Sequence, residues 1–109
     1  FPLFYSKKND SLTNLQSTGT LLGIFRESKF IARTIQLESG DKMIFYSDGL
    51  VDFFELLEGV DDGFVALEKF ILARRNKNPN EIVNEIRSLV ETIKTDLKDD
   101  ITVAVIELE

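Results

Sequence analysis

Two apolar runs constrain this chain more than any other feature. "KMIFYS" (42–47) and "ITVAVIEL" (101–108) lack the polar alternation of a strand with one wet face, and both read as interior strands covered on both sides. Between them the pattern turns helical. Within "GFVALEKFILARR" (63–75), Phe64, Leu67, Phe70 and Ile71 fall on one helical face. Asp61 or Asp62 stands ready to cap its start, and Arg74 and Arg75 suit the negative end of its dipole. "NPNE" (78–81) is a second start signal, with Asn78 as N-cap, Pro79 in the first helical position and Glu81 in the capping-box position. Ile82, Ile86, Leu89, Val90, Ile93 and Leu97 then recur at helical spacing as one core-facing stripe.

The N-terminal stretch supplies neighbours for the two interior strands. "PLFYS" (2–6) reads as a short strand, with Pro2 at its start, where a missing N–H is tolerated. "KKND" (7–10) is a polar turn and "SLTNLQ" (11–16) the return strand of a hairpin. "STGTLLG" (17–23) places Gly19 and Gly23 around an apolar pair, a loop whose backbone can approach a neighbour closely. "SKFIARTIQL" (28–37) is rich in β-formers, and the turn "ESGD" (38–41) joins it to 42–47 as a second hairpin. The expected class is α+β: a largely antiparallel sheet of about five strands with two helices on one face.

Composition narrows the chemistry. The chain has 109 residues, one small domain, and 43% of them are apolar, enough to bury a core. A net charge of −6 repels phosphate backbones and argues against general nucleic-acid binding, while it suits a divalent cation or a basic partner. No apolar run is long enough to span a membrane. Without Cys there are no disulfides, which fits the cytoplasm. Without His there is no Ser-His-Asp triad, no imidazole acid–base chemistry and no conventional zinc site. Carboxylates without His or Cys favour hard cations such as Mg²⁺ or Mn²⁺. The chain opens at Phe1 rather than Met, so targeting is not read from it.

The acids that matter sit at strand ends. Asp48 follows the strand 42–47, and Asp99 and Asp100 precede the strand 101–108. If those strands are antiparallel neighbours, the end of one lies beside the start of the other, and all three acids share one sheet edge. Clustered carboxylates repel unless a cation lies between them. Gly49 has no side chain to obstruct a metal or its water shell. Taken singly, Asp-Gly after a strand also reads as a turn and Asp-Asp before one as solvated charge. Ser47, with no neighbouring base, reads as a strand-end hydrogen bonder rather than a nucleophile, so no side chain here is assigned as catalytic. Asp52 reads as a turn or cap residue, and Glu55, Glu58, Asp61 and Asp62 as solvated acids.

"SGDKMIFYSDGLVD" (39–52) resembles the Ser-Asp-Gly metal-binding motif of the PPM (PP2C-type) serine/threonine phosphatases, in particular the bacterial SpoIIE/RsbU-like branch. "DDITVAVIEL" (99–108) is similar to that family's closing motif and last strand, "GTLLG" (19–23) to its Gly-x-x-Leu-Gly loop, and "FPLFY" (1–5) to the stretch after its Gly-His pair. Four landmarks in order span nearly the whole chain.

The resemblance implies that Asp48 and Asp99 are metal ligands and that Gly49, Asp100 and Thr102 support them, with the Thr102 hydroxyl satisfying a backbone or carboxylate oxygen. Asp100 stands where many relatives have Asn. It also implies half of an αββα sandwich: residues 1–109 as the C-terminal part of the catalytic domain, with the family's first Asp, its Asp-Gly pair and its Gly-His segment upstream. Such a domain holds two Mn²⁺ or Mg²⁺ ions about 4 Å apart and hydrolyses phosphoserine or phosphothreonine by attack of metal-bound hydroxide. The substrate implied is a phosphorylated regulatory protein of the anti-anti-sigma-factor kind. On this reading the fragment alone is inactive, and a homodimer is one way to cover its open sheet. The alternative is a PP2C-like module that has lost catalysis and signals through contacts. A third reading is a plain structural α+β domain with coincidental acids.

Overall fold

The computed structural model describes residues 1–15, 26, 32, 34–93 and 100–109. Four strands and three helices follow in the order β1 (Leu3–Ser6), β2 (Ser11–Asn14), β3 (Lys42–Tyr46), α1 (Asp48–Glu58), α2 (Gly63–Ala73), α3 (Pro79–Thr92) and β4 (Val103–Glu107). The sheet is wholly antiparallel, in the order β2-β1-β3-β4. One face of it carries the core. Leu3 of β1 and Ile44 of β3 meet Leu50, Phe53 and Phe54 of α1, Leu67, Phe70 and Ile71 of α2, and Ile82 and Ile86 of α3. Burying a side chain of this size stabilises the fold by about 1.5–3 kcal/mol. The α+β class and the one-sided helical layer are those expected from the sequence.

The helix ends follow local chemistry. Asp62 caps α2 by accepting from the N–H groups of Phe64 (3.0 Å) and Val65 (3.4 Å). Asn78 caps α3 by accepting from Glu81 N–H at 2.9 Å, with Pro79 beginning the helix. Arg74 and Arg75 close α2 by donating to the carbonyls of Phe70 (3.1 Å) and Leu72 (2.8 Å), two of the acceptors that a helix end leaves open. Of the α3 stripe, Ile82 and Ile86 are fully buried and Leu89, Val90 and Ile93 pack against them. Leu97 lies outside the described residues.

Three expectations are corrected. Among the described residues the helices number three rather than two, because Asp48 does not close a strand but opens α1, with Ser47 in the N-cap position. Leu50, Phe53, Phe54 and Leu57 form its apolar stripe. The hairpin joining 28–37 to 42–47 is not formed as expected. Both edges of β3 are taken, one by β1 and the other by β4, and residues 32 and 34–37 carry no strand. The rest of that segment lies outside the described residues, which thus hold four strands rather than about five. Finally, among the described residues β4 is an edge strand of the sheet, not an interior one. Its inner residues Val103 and Val105 pack on the core, but Ala104 and Ile106 face outward, beside Phe45 of β3. Phe45 is 40% and Ile106 52% exposed, so among the described residues the outer sheet face carries exposed apolar side chains.

The end of the sheet opposite the Asp48 turn is fastened by buried polar groups. The Asp41 carboxylate accepts from Lys7 N–H (2.9 Å) and Glu38 N–H (2.8 Å), and Gly40 N–H donates to Leu108 C=O (2.7 Å). Gly40 has φ +88°, a backbone state that suits glycine, and a Cβ there would strike the Lys7 side chain. Lys42, also buried, donates to Arg75 C=O (2.7 Å) and pairs with Glu107 (2.8 Å), tying β3 to β4 and to the α2–α3 turn.

Candidate metal centre

The register of β3 and β4 sets the geometry of the site. Tyr46 pairs with Val103, so the residues just beyond β3 run alongside those just before β4. The contact continues past the last ladder pair through Ser47. Its N–H donates to Thr102 C=O at 2.9 Å, and its Oγ accepts from Thr102 N–H at 2.9 Å and donates to Asp100 C=O at 3.2 Å. Ser47 is therefore the strand-end hydrogen bonder that its sequence context suggested. Thr102 meets it through main-chain atoms rather than through the hydroxyl.

Asp48 stands in the first turn of α1, exposed, where the positive end of the helix dipole favours a carboxylate by about 0.3–1 kcal/mol. Gly49, the next residue, is buried. Asp100 is exposed at the entry to β4, with its carbonyl held by Ser47. Asp99, the other carboxylate expected to bind metal, lies outside the described residues, as does the Gly19–Gly23 loop. Asp52 lies exposed on α1.

Two residues that sequence reasoning missed share this end of the sheet. Tyr46 is half-buried against Phe64 of α2, with ring centroids 6.4 Å apart. Its phenol pKa is raised by burial first, then by the negative charges of Glu68 and Asp48. Nothing in the sequence marks Glu68, which reads as one more acid on an amphipathic helix.

The donor chemistry here is all oxygen, as a hard divalent cation requires. Asp48 at an exposed turn, followed by a residue without a side chain, fits one ligand of such a site. Among the described residues, no group of three or more His, Cys, Asp or Glu side chains converges to hold a metal.

Comparison with known proteins places the fold. The family model described as Stage II sporulation protein E (SpoIIE) matches residues 1–109. Phosphoserine phosphatase RsbU of Bacillus subtilis (strain 168) is 28% identical over 107 residues, which cover 94% of this chain and 30% of that protein. Stage II sporulation protein E of the same organism is 24% identical over 106 residues, covering 96% of this chain and 12% of that protein. A Mn-presoaked structure of the phosphatase domain of the cell fate determinant SpoIIE from Bacillus subtilis superposes with a TM-score of 0.68 at 21% identity, over 99% of this chain and 46% of that one. A structure of the SpoIIE PP2C phosphatase domain with a fragment of its regulatory domain gives a TM-score of 0.69 at 22% identity, over 97% of this chain and 30% of that one.

The fold is that of a PP2C phosphatase domain, of which this chain spans about half. The chain belongs to the SpoIIE family. It spans less than a third of the length of either curated relative.

Proposed function

We propose that this chain is the C-terminal part of a metal-dependent protein serine/threonine phosphatase domain, and that Asp48 and Asp99 are metal ligands of its catalytic centre. The observation that carries this reading is the antiparallel pairing of β3 with β4. It brings Asp48 to the sheet end where β4 begins, as the shared site requires. Family membership and the name of RsbU, a phosphoserine phosphatase, support the reaction class.

Bound Mn²⁺ or Mg²⁺ supplies Lewis-acid charge for the phosphoryl group and lowers the pKa of water, replacing the general base that a chain without His lacks. The remaining tasks fall to the chain itself. Asp48 offers anionic oxygen at a turn with little steric bulk. Asp100, Thr102 and Gly49 hold the backbone around it, through the Ser47 contacts and the burial of Gly49. The substrate is a phosphoserine or phosphothreonine on a regulatory protein, of the anti-anti-sigma-factor kind.

The other ligands and the second sheet of the sandwich come from outside this chain. The apolar outer face around Phe45 and Ile106 is the surface that a second sheet would cover. Among the described residues no helix is long and apolar enough to cross a membrane, and a cytoplasmic location is part of the proposal. The test is turnover of a phosphoserine peptide with Mn²⁺. The intact protein should hydrolyse it and the isolated 109-residue chain should not. An intact protein that binds the peptide without turnover would favour the signalling module instead. Turnover by the isolated chain would refute the division of the site between two halves.

A further inference from the structure

Ser47 occupies a position where serine normally does something else. At an N-cap, a serine hydroxyl ordinarily accepts from a first-turn N–H and so stabilises the helix. Ser47 has the extended backbone of an N-cap, φ −87° and ψ 163°, yet its side chain makes no capping bond. Its Oγ instead accepts from Thr102 N–H at 2.9 Å and donates to Asp100 C=O at 3.2 Å, reaching residues 55 and 53 positions away. The main chain adds the bond from Ser47 N–H to Thr102 C=O at 2.9 Å. The Ser47 carbonyl accepts from Leu50 N–H at 3.0 Å and so starts α1. The residue immediately before Asp48 is thus bonded on one side to the first turn of α1 and on the other to the entry of β4.

We propose that Ser47 is a positioning residue for the metal centre: its hydroxyl fixes the direction in which the Asp48 turn faces the start of β4. The β3–β4 ladder and the main-chain bond beyond it set the separation of the two segments, but past the last ladder pair one bond leaves the chain some freedom to turn. The two bonds from Oγ add further anchors and remove that freedom. A carboxylate ligand one residue along then meets a cation without first paying the cost of being oriented. The proposal rests on the phosphatase reading, because it needs Asp48 to be a ligand.

The test is Mn²⁺ affinity, measured by calorimetric titration of the intact protein alongside its thermal midpoint. Loss of a group bonded directly to a ligand typically weakens metal binding about 10–100-fold, and Ser47, which acts on Asp48 through the main chain, should cost about 10-fold, the low end of that range. S47A should show that loss with little change in thermal midpoint, since the main-chain bond to Thr102 remains. S47T, which keeps the hydroxyl, should bind like the wild type, and D48N should lose at least as much affinity as S47A. Should S47A fail to fold, S47C, whose thiol is a weak donor and acceptor, takes its place and should bind Mn²⁺ more weakly than S47T; affinity equal to S47T would overturn the positioning role. Wild-type affinity in S47A alongside a loss in D48N would overturn the positioning role and leave the phosphatase reading intact. Wild-type affinity in D48N would remove the metal reading and the positioning role together. A loss in S47A that S47T shares, in step with a lowered thermal midpoint, would make Ser47 merely structural and overturn the proposal.

Discussion

Asp41 provides the sharpest test of how this sheet is held. The residue is 3% exposed, and its two carboxylate oxygens each accept one main-chain N–H, from Lys7 and from Glu38. Its own main chain bonds twice more, its N–H to Glu38 C=O (2.9 Å) and its C=O from Leu108 N–H (3.0 Å). Asp41→Ala keeps the main-chain bonds and deletes the carboxylate. Hydrogen bonds to a charged group contribute about 1.5–3 kcal/mol each. Both N–H groups are only partly buried, so water recovers some of the loss, and the expected destabilisation is about 2–4 kcal/mol in total. That is a large share of the roughly 5–15 kcal/mol that holds a domain together. Asp41→Asn keeps one acceptor oxygen and should cost about half as much. Urea unfolding of the intact protein reads both, as shifts in midpoint at constant slope. A loss below about 1 kcal/mol for Asp41→Ala would refute the claim that these bonds fasten the β1–β2 turn to the entry of β3.

Other substitutions test the remaining elements. Gly63→Ala should destabilise the α1–α2 contact, because a Cβ there would collide with Val51 C=O; a proteolysis rate at α1 equal to wild type would contradict this. Ile82→Ala, in a fully buried site, should cost about 2–5 kcal/mol by chemical denaturation. Asn78→Ala removes the α3 cap and should cost about 1 kcal/mol by the same measurement. Glu85 has its pKa lowered from 4.5, first by the hydrogen bond from Lys77 and also by Arg74, against an opposing desolvation. With a depressed folded-state pKa, the unfolded chain takes up the proton first as the pH falls. The advantage of wild type over Glu85→Gln should therefore be full above pH 4.5 and fade as the pH falls from there through the depressed folded-state pKa, and it should shrink in high salt because Glu85 and its partners Lys77 and Arg74 are only partly buried. Thermal midpoints across pH at two salt concentrations check this.

What the sequence disclosed about the fold was chiefly local. The Asp62 and Asn78 caps and the α2 and α3 stripes are written in adjacent residues, and each lies where its pattern put it. Helix α1 carries an equally good stripe in Leu50, Phe53, Phe54 and Leu57. It stayed hidden because Asp48-Gly49 also spells a turn. Strand partners are less local still. The β-forming residues of 28–37 describe a segment that fits a pleated sheet, but not which edge is free, and both edges of β3 are occupied. At the site, the approach of Asp48 to the start of β4 followed from the apolar character of two strands. The hydroxyl bonds of Ser47 and the carboxylate bond from Asp41 to Lys7 did not, because their partners are 53, 55 and 34 residues away. Glu68 had no signal at all, since it is tertiary packing, Tyr46 on Phe64 among it, that brings α2 to this end of the sheet.

Anomalous scattering from Mn²⁺ in crystals of the intact protein tests the central claim most directly. The account predicts a manganese peak in direct contact with the Asp48 carboxylate at the junction of β3 and β4, with Asp99 on the same ion or its neighbour. Manganese bound elsewhere, with Asp48 turned to solvent, would contradict it.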